Sequence, residues 1–172
     1  ISVNSFFQTN STQALELYKT VAEYAERDGE VVWDLYCGTG SIAIFLAKQA
    51  KQVVGFEIVE NAVKDAYRNA VLNKVDNCEF IAGDLRFQLQ KHADNPPGVL
   101  ICDQPRAGMH KDVLAEMLRL APKRIVSVSC NPSTMARDLA VLTQDYKILE
   151  VQPVDMFPHT YHIESVAKLK RI

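Results

Sequence analysis

No apolar run in this chain of 172 residues approaches the roughly 20 residues needed to cross a bilayer, so a membrane-spanning helix is excluded. No C-x-x-C pair occurs among the four cysteines, Cys37, Cys78, Cys102 and Cys130, which are far apart and lie in or beside apolar runs. Neither a zinc site nor a disulfide framework is indicated. Widely spaced thiols without a secretion signal fit a reducing cytoplasm, where most are inert core residues and one at most is chemical. An excess of one charge is also missing: 19 Lys and Arg stand against 21 Asp and Glu, a net charge of -2. Such a balance does not hold nucleic acid by charge alone. There is no internal repeat, low-complexity tract or linker, and Pro96-Pro97 reads as a turn leading into a strand. With 48% hydrophobic residues, the length suits one compact domain over 1–172. The chain opens at Ile1 without an initiator methionine or targeting pattern, and is expected to be part of a longer protein.

What is present is an alternation. From Thr12 to Arg27 apolar residues recur at helical spacing, and Asp28-Gly29 offers a stop. Five apolar runs then read as buried strands: Val31 to Tyr36, Gln52 to Glu57, Cys78 to Ala82, Val99 to Asp103, and Arg124 to Ser129. Helical stretches near Ser41 to Ala50, Glu60 to Asn73, Asp84 to His92 and Lys111 to Leu120 separate them, each gap being long enough for a right-handed crossover. A further helix, Pro132 to Gln144, and two strands, Lys147 to Gln152 and His162 to Leu169, complete the chain. The pattern predicts an α/β fold with a seven-stranded, mostly parallel sheet and helices on both faces.

Asp34-Leu35-Tyr36-Cys37-Gly38-Thr39-Gly40-Ser41 joins the first strand to a helix, where Gly38 and Gly40 let the backbone turn tightly and approach a nucleotide-like ligand. Gly38 to Ala43 also satisfies G-x-G-x-x-A, and Glu57 closes the next strand about 20 residues on, where a carboxylate takes ribose hydroxyls. Those residues suit S-adenosylmethionine and NAD alike. Asp84, ending the third strand, is placed either to meet the adenine or to cap the next helix.

The fourth strand runs into Asp103-Gln104-Pro105-Arg106-Ala107-Gly108, which sets a carboxylate, an amide and a guanidinium at the carboxyl edge where α/β sheets bind ligands. The fifth runs into Ser129-Cys130-Asn131-Pro132, where Asn131 suits a helix N-cap and Pro132 the first helical position. Partial positive charge at that helix start stabilises a thiolate, so Cys130 is the cysteine with a sequence reason to be nucleophilic.

Together with Ser5-Phe6-Phe7-Gln8-Thr9-Asn10 and Met156-Phe157-Pro158-His159-Thr160-Tyr161-His162-Ile163-Glu164, these segments make five ordered motifs. The chain resembles, over essentially its whole length, the catalytic part of the RNA (uracil-5-)-methyltransferase family, which modifies transfer or ribosomal RNA. The resemblance implies a Rossmann-like, S-adenosylmethionine-dependent fold, Cys130 as nucleophile and Glu164 as base. It also implies that Gln8, Tyr36, Glu57 and Asp103 surround the cofactor and an extruded base. Gly38, Gly40 and Asp84 join the cofactor set, and Arg106 the substrate side. RNA is the implied partner, no membrane is involved, and a cytoplasmic monomer is expected. Family members carry an N-terminal RNA-binding domain, some with an iron-sulfur cluster on cysteines outside this segment; no metal is expected within it. One departure stands out: the family usually has two prolines after the fourth-strand aspartate, and Gln104 replaces the first, which should leave that turn less rigid.

The implied chemistry makes physical sense. Carbon 5 of uracil is a poor nucleophile until a thiolate adds to carbon 6, with Arg106 and Gln8 as possible donors to the carbonyl oxygens. A base must then remove the carbon 5 proton, and Glu164 is a lone carboxylate in an apolar strand. His159 and His162 receive no role, and of Phe6, Phe7, Tyr36 and Phe157 some could stack an extruded base. Three other readings compete: a methyltransferase acting on an exocyclic nitrogen, against which Arg106 in the usual aromatic position argues; a nicotinamide oxidoreductase, supported by the glycine loop and Glu57; and a module that keeps the fold without chemistry.

Overall fold

The computed structural model describes residues 10–26, 29–156, 160 and 163–172. Its first five strands are β1 (Val31–Leu35), β2 (Gln52–Glu57), β3 (Cys78–Ala82), β4 (Val99–Asp103) and β5 (Arg124–Ser129). All pair in parallel. Two further strands, β6 (Tyr146–Val154) and β7 (Glu164–Arg171), complete a sheet of order β3-β2-β1-β4-β5-β7-β6. Strand β7 runs antiparallel to both β5 and β6. The crossovers are α1 (Ser11–Ala25) ahead of the sheet, then α2 (Ser41–Leu46), α3 (Glu60–Leu72), α4 (Leu85–Lys91), α5 (Lys111–Leu120) and α6 (Pro132–Leu142).

The central strands are continuous apolar runs because both faces are covered. Val32, Val53, Ile101, Val126 and Val128 point to one side, against Leu17 and Val21 of α1, Ile42 and Leu46 of α2, and Val63 and Ala66 of α3. Their neighbours Trp33, Leu35, Phe56, Leu100 and Ile125 point to the other, against Leu85 and Leu89 of α4, Met117 of α5, and Leu139 and Leu142 of α6. Strand alternation therefore builds two cores, one on each face.

Several boundaries differ from the sequence reading. β1 ends at Leu35, since Tyr36 turns into the left-handed region at φ 61°. Helix α2 stops at Leu46, four residues short of Ala50. The side-chain amide of Asn77, just before β3, donates to the carbonyls of Ala47 and Ala50 at 2.8 and 3.1 Å and takes over the helix end. Asp84 lies outside α4 as its N-cap. The expected start of the last strand, His162, is outside the described residues, and β7 is described from Glu164.

Candidate active site

All five parallel strands end at one edge, and the antiparallel β7 begins there. Its pairing sets Ser165 opposite Ser129, the last residue of β5, so Glu164 starts β7 beside the turn that carries Cys130. Six segments of the chain thus meet at one rim.

The β1–α2 loop is closed by the Cys37 N–H donating to Phe56 O (3.0 Å) and the Gly40 N–H to Cys37 O (2.9 Å). Gly38 and Gly40 have φ of 53° and 79°, which glycine adopts without a Cβ penalty. Their surroundings differ. A Cβ on Gly40 would lie 2.8 Å from the Phe80 ring and 3.1 Å from Ala66, whereas one on Gly38 would meet nothing within 4 Å. Gly40 lets the loop press onto β3 and α3; Gly38 leaves an open flank.

Glu57 is oriented by two backbone donors, the Gly38 N–H at 3.0 Å to one carboxylate oxygen and the Val59 N–H at 2.9 Å to the other. Each oxygen keeps a lone pair for a ligand hydroxyl. Beside it lies a small, solvent-open pocket. Tyr36, Phe56, Ile58, Leu85 and Val113 supply apolar walls, with Glu57, Asp84, Arg86 and His110 at its polar positions. Asp84 realises the capping alternative: its Oδ1 accepts the Arg86 N–H at 2.9 Å, and the Arg86 guanidinium grips the same carboxylate at 3.0 and 3.1 Å. Those bonds hold its carboxyl below the ordinary aspartate range.

Deeper in the rim, Asp34 is sealed from solvent, and neither of its carboxylate oxygens has a hydrogen-bond partner of good geometry among the described residues. Burial first, then the charge of Asp103, and lastly that of Glu57 push its carboxyl well up, against a pull from the Ala43 backbone N–H. Asp103, at the end of β4, is raised to about 7 by burial and by Glu164. Burial alone raises Glu164, 7% exposed. Tyr18 of α1, its hydroxyl bonded to Ser41, senses both Asp103 and Asp34. An orphaned acid, the open flank at Gly38, a carboxylate poised for ribose and an apolar pocket together fit a cationic adenosine compound.

Cys130 is half-buried ahead of α6, whose N-cap Asn131 accepts the Ser133 N–H at 3.1 Å. The expected thiolate stabilisation is not the net result. Burial and then Glu164 raise the thiol, outweighing its own backbone N–H and Arg106, which lower it; Asp103 raises it further. Arg106 is exposed, but its carbonyl is held at 3.2 Å by Asn131 Nδ2 and at 3.3 Å by Thr134 Oγ1. Gln104, expected to loosen its turn, is instead bonded on both ends of its amide to β5.

The structure thus brings Tyr36, Gly38, Gly40, Glu57, Asp84, Asp103, Arg106, Cys130 and Glu164 to one edge. Gln8, Phe6, Phe7, Phe157, His159 and His162 lie outside the described residues. Sequence reasoning assigned nothing to Asp34, Tyr18 or His110. For Asp34 a signal existed, a lone carboxylate inside the apolar run Val31 to Leu35; for the other two only packing shows the proximity. Among the described residues no group of three or more His, Cys, Asp or Glu could hold a metal ion, and no helix is long and apolar enough to cross a membrane.

The antiparallel β7 inserted between β5 and β6 separates this sheet from the 3-2-1-4-5-6 order of dinucleotide-binding domains, so the glycine loop and Glu57 do not signify NAD. Fold and site define the class of S-adenosylmethionine-dependent methyltransferase domains, with S-adenosylmethionine as cofactor. Residues 26–168 match the family model described as a methyltransferase domain, and the chain belongs to that family. A Bacteroides thetaiotaomicron protein named uncharacterized RNA methyltransferase is 52% identical over 99% of this chain and 38% of its own length. A Porphyromonas gingivalis protein of the same name is 50% identical over the same shares. The chain spans under two fifths of these curated relatives. Among solved structures, Pyrococcus abyssi tRNA (uracil-54, C5)-methyltransferase in complex with S-adenosyl-L-homocysteine superposes with a TM-score of 0.86. It shares 44% identity, over 96% of this chain and 40% of the other. The N-methyltransferase NodS from Bradyrhizobium japonicum, 13% identical with a TM-score of 0.75 over 95% of this chain and 89% of its own, shares the fold.

Proposed function

We propose that this chain is the catalytic part of an RNA methyltransferase that modifies carbon 5 of a uridine in tRNA or rRNA. The observation carrying this reading is the convergence of Cys130 and Glu164, which lie 34 residues apart in sequence, through the pairing of Ser129 with Ser165. Likeness to the Pyrococcus abyssi enzyme, which acts on uracil, supports it, as do the relatives named RNA methyltransferase.

Glu57 would hold the ribose hydroxyls, the pocket from Tyr36 to Val113 the adenine, and Asp34 the positive end of the cofactor. When bound, S-adenosylmethionine supplies the methyl group that carbon 5 takes. Cys130 sulfur adds to carbon 6, moving the ring electrons onto carbon 5. Arg106, the cation beside this thiol, is the donor to the charge that develops on the uracil oxygen. Glu164 then takes the carbon 5 proton, the double bond reforms, and the sulfur–carbon bond breaks to release the thiolate. A carboxyl raised by burial suits this role, because it holds the proton better than a solvated one. Cys130 loses its own proton to solvent, to which the half-buried thiol is open, and Glu164 thus stays ionised for the carbon 5 proton.

The test is to incubate the full-length protein and S-adenosylmethionine with tRNA and rRNA transcripts carrying 5-fluorouridine, whose fluorine cannot leave as a proton. A denaturation-resistant adduct mapped by peptide mass to Cys130 is expected, and none with Cys130→Ala. An adduct retained in that variant, or methyl groups recovered on an exocyclic nitrogen of unsubstituted transcripts, overturns the reading.

A further inference from the structure

We propose that Gln104 is a positioning residue for Cys130, its buried amide clamping the end of β4 to Ser127 and Ser129 so that the backbone presents the thiol along one path. The inference rests on the proposed role of Cys130. It starts from a cost in β5. Ser127 and Ser129 are both 0% exposed, alternate with Val126 and Val128, and so lie on one face of an otherwise apolar strand. An unpartnered buried hydroxyl is costly, because it gives up its hydrogen bonds to water without replacement. Gln104, 3% exposed, satisfies both with the two ends of one amide: Ser127 Oγ donates to its Oε1 at 3.5 Å, and its Nε2 donates to Ser129 Oγ at 3.1 Å.

The Ser129 hydroxyl then does more than fill a valence. It accepts the Asn131 N–H at 3.1 Å and donates to the Asn131 carbonyl at 3.2 Å, so with the Gln104 bond both lone pairs and the proton are used. Ser129 and Asn131 flank Cys130, and one hydroxyl therefore pins the chain on either side of the thiol. Gln104 pins that hydroxyl from the neighbouring strand, while its own N–H donates to Val128 O at 3.0 Å. From the far side, Asn131 Nδ2 and Thr134 Oγ1 hold the Arg106 carbonyl. Residues 104–106 thus grip the Cys130 turn at two places. A proline at position 104, usual in the family the sequence resembles, has neither the N–H nor the amide for these bonds; here the hydrogen-bonded clamp stands in for ring rigidity.

Displacement of a reacting group by about 1 Å can cost on the order of 100-fold in rate. In the full-length protein, Gln104→Met keeps the side-chain length and removes both bonds, and Ser129→Ala removes the shared hydroxyl. On the transcript methylated by the wild type, each variant is expected to lower the single-turnover transfer rate about tenfold or more. Affinity for S-adenosylhomocysteine and the KM for RNA should stay within about twofold. The double variant should be no slower than the slower single, because both act through one contact. Wild-type rate in Gln104→Met, or multiplying effects in the double variant, overturns the clamp. If Gln104→Met fails to fold, Gln104→Glu, whose ionised carboxylate cannot donate to Ser129, carries the same prediction above its pKa. Should no RNA be methylated through Cys130, the function proposed above fails by itself, and iodoacetamide modification of Cys130 becomes the readout. A modification rate within about twofold of wild type in both single variants then overturns the clamp independently.

Discussion

Cys130 sits under opposing influences, and the one from Glu164 can be isolated. A carboxylate beside a thiol disfavours the second negative charge, so Glu164 holds the Cys130 pKa above its ordinary value while Arg106 pulls it down. Replacing the charge by an isosteric amide in Glu164→Gln should lower the thiol pKa and move the pH profile of iodoacetamide alkylation at Cys130 to lower pH. An unchanged or higher profile would show that Glu164 does not act on the thiol. The place of Cys130 just ahead of a helix was legible in the sequence, because Asn131-Pro132 announced a helix start after a buried strand. Its thiol balance was not, since Glu164 lies far along the chain and burial comes from elements the local sequence does not contain.

The β1–α2 loop shows how one glycine pattern serves two purposes. At Gly40 a methyl group meets the Phe80 ring at 2.8 Å in a left-handed backbone, so Gly40→Ala should destabilise the protein by about 2 kcal/mol or more in urea unfolding. Gly38→Ala carries only the backbone cost of about 1–2 kcal/mol. Its methyl group enters the open flank, so this variant should fold and lose affinity for S-adenosylhomocysteine by tenfold or more in calorimetry. The reverse pattern would mean that Gly38 packs and Gly40 faces the ligand. Strand and helix positions could be read from period and length, with errors of a few residues. The early end of α2 could not, since the amide that caps it belongs to Asn77, 30 residues from Ala47.

Seen as a molecule, the sheet gathers Asp34, Asp103 and Glu164 at one edge, and the fold is least comfortable when all are charged. All three carboxyls are raised. A raised folded pKa contributes stability that is complete below the unfolded value, about 4, and is lost as pH rises through the folded one. For Asp103 that window closes near pH 7. The lowered carboxyls of Glu26 and Asp84 act in the opposite sense, but only below the ordinary carboxylate range. The thermal midpoint of the ligand-free protein should therefore fall between pH 5 and 8, and Asp103→Asn should flatten that slope. A midpoint that rises over the same interval, or a slope untouched by the substitution, would contradict the repulsion.

Apolar strands alternating with amphipathic helices already committed the chain to an α/β sheet, because each run had to be buried on both faces and each gap matched a crossover. Glu57, Asp103 and Cys130 were marked by their places at strand ends. The antiparallel insertion of β7 lay beyond local pattern, since pairing direction is set by which edge of the sheet is left to cover rather than by the composition of Glu164 to Arg171. That insertion brings Glu164 to Cys130 and, with burial supplied by the surrounding helices, sets the protonation of the acids at the rim.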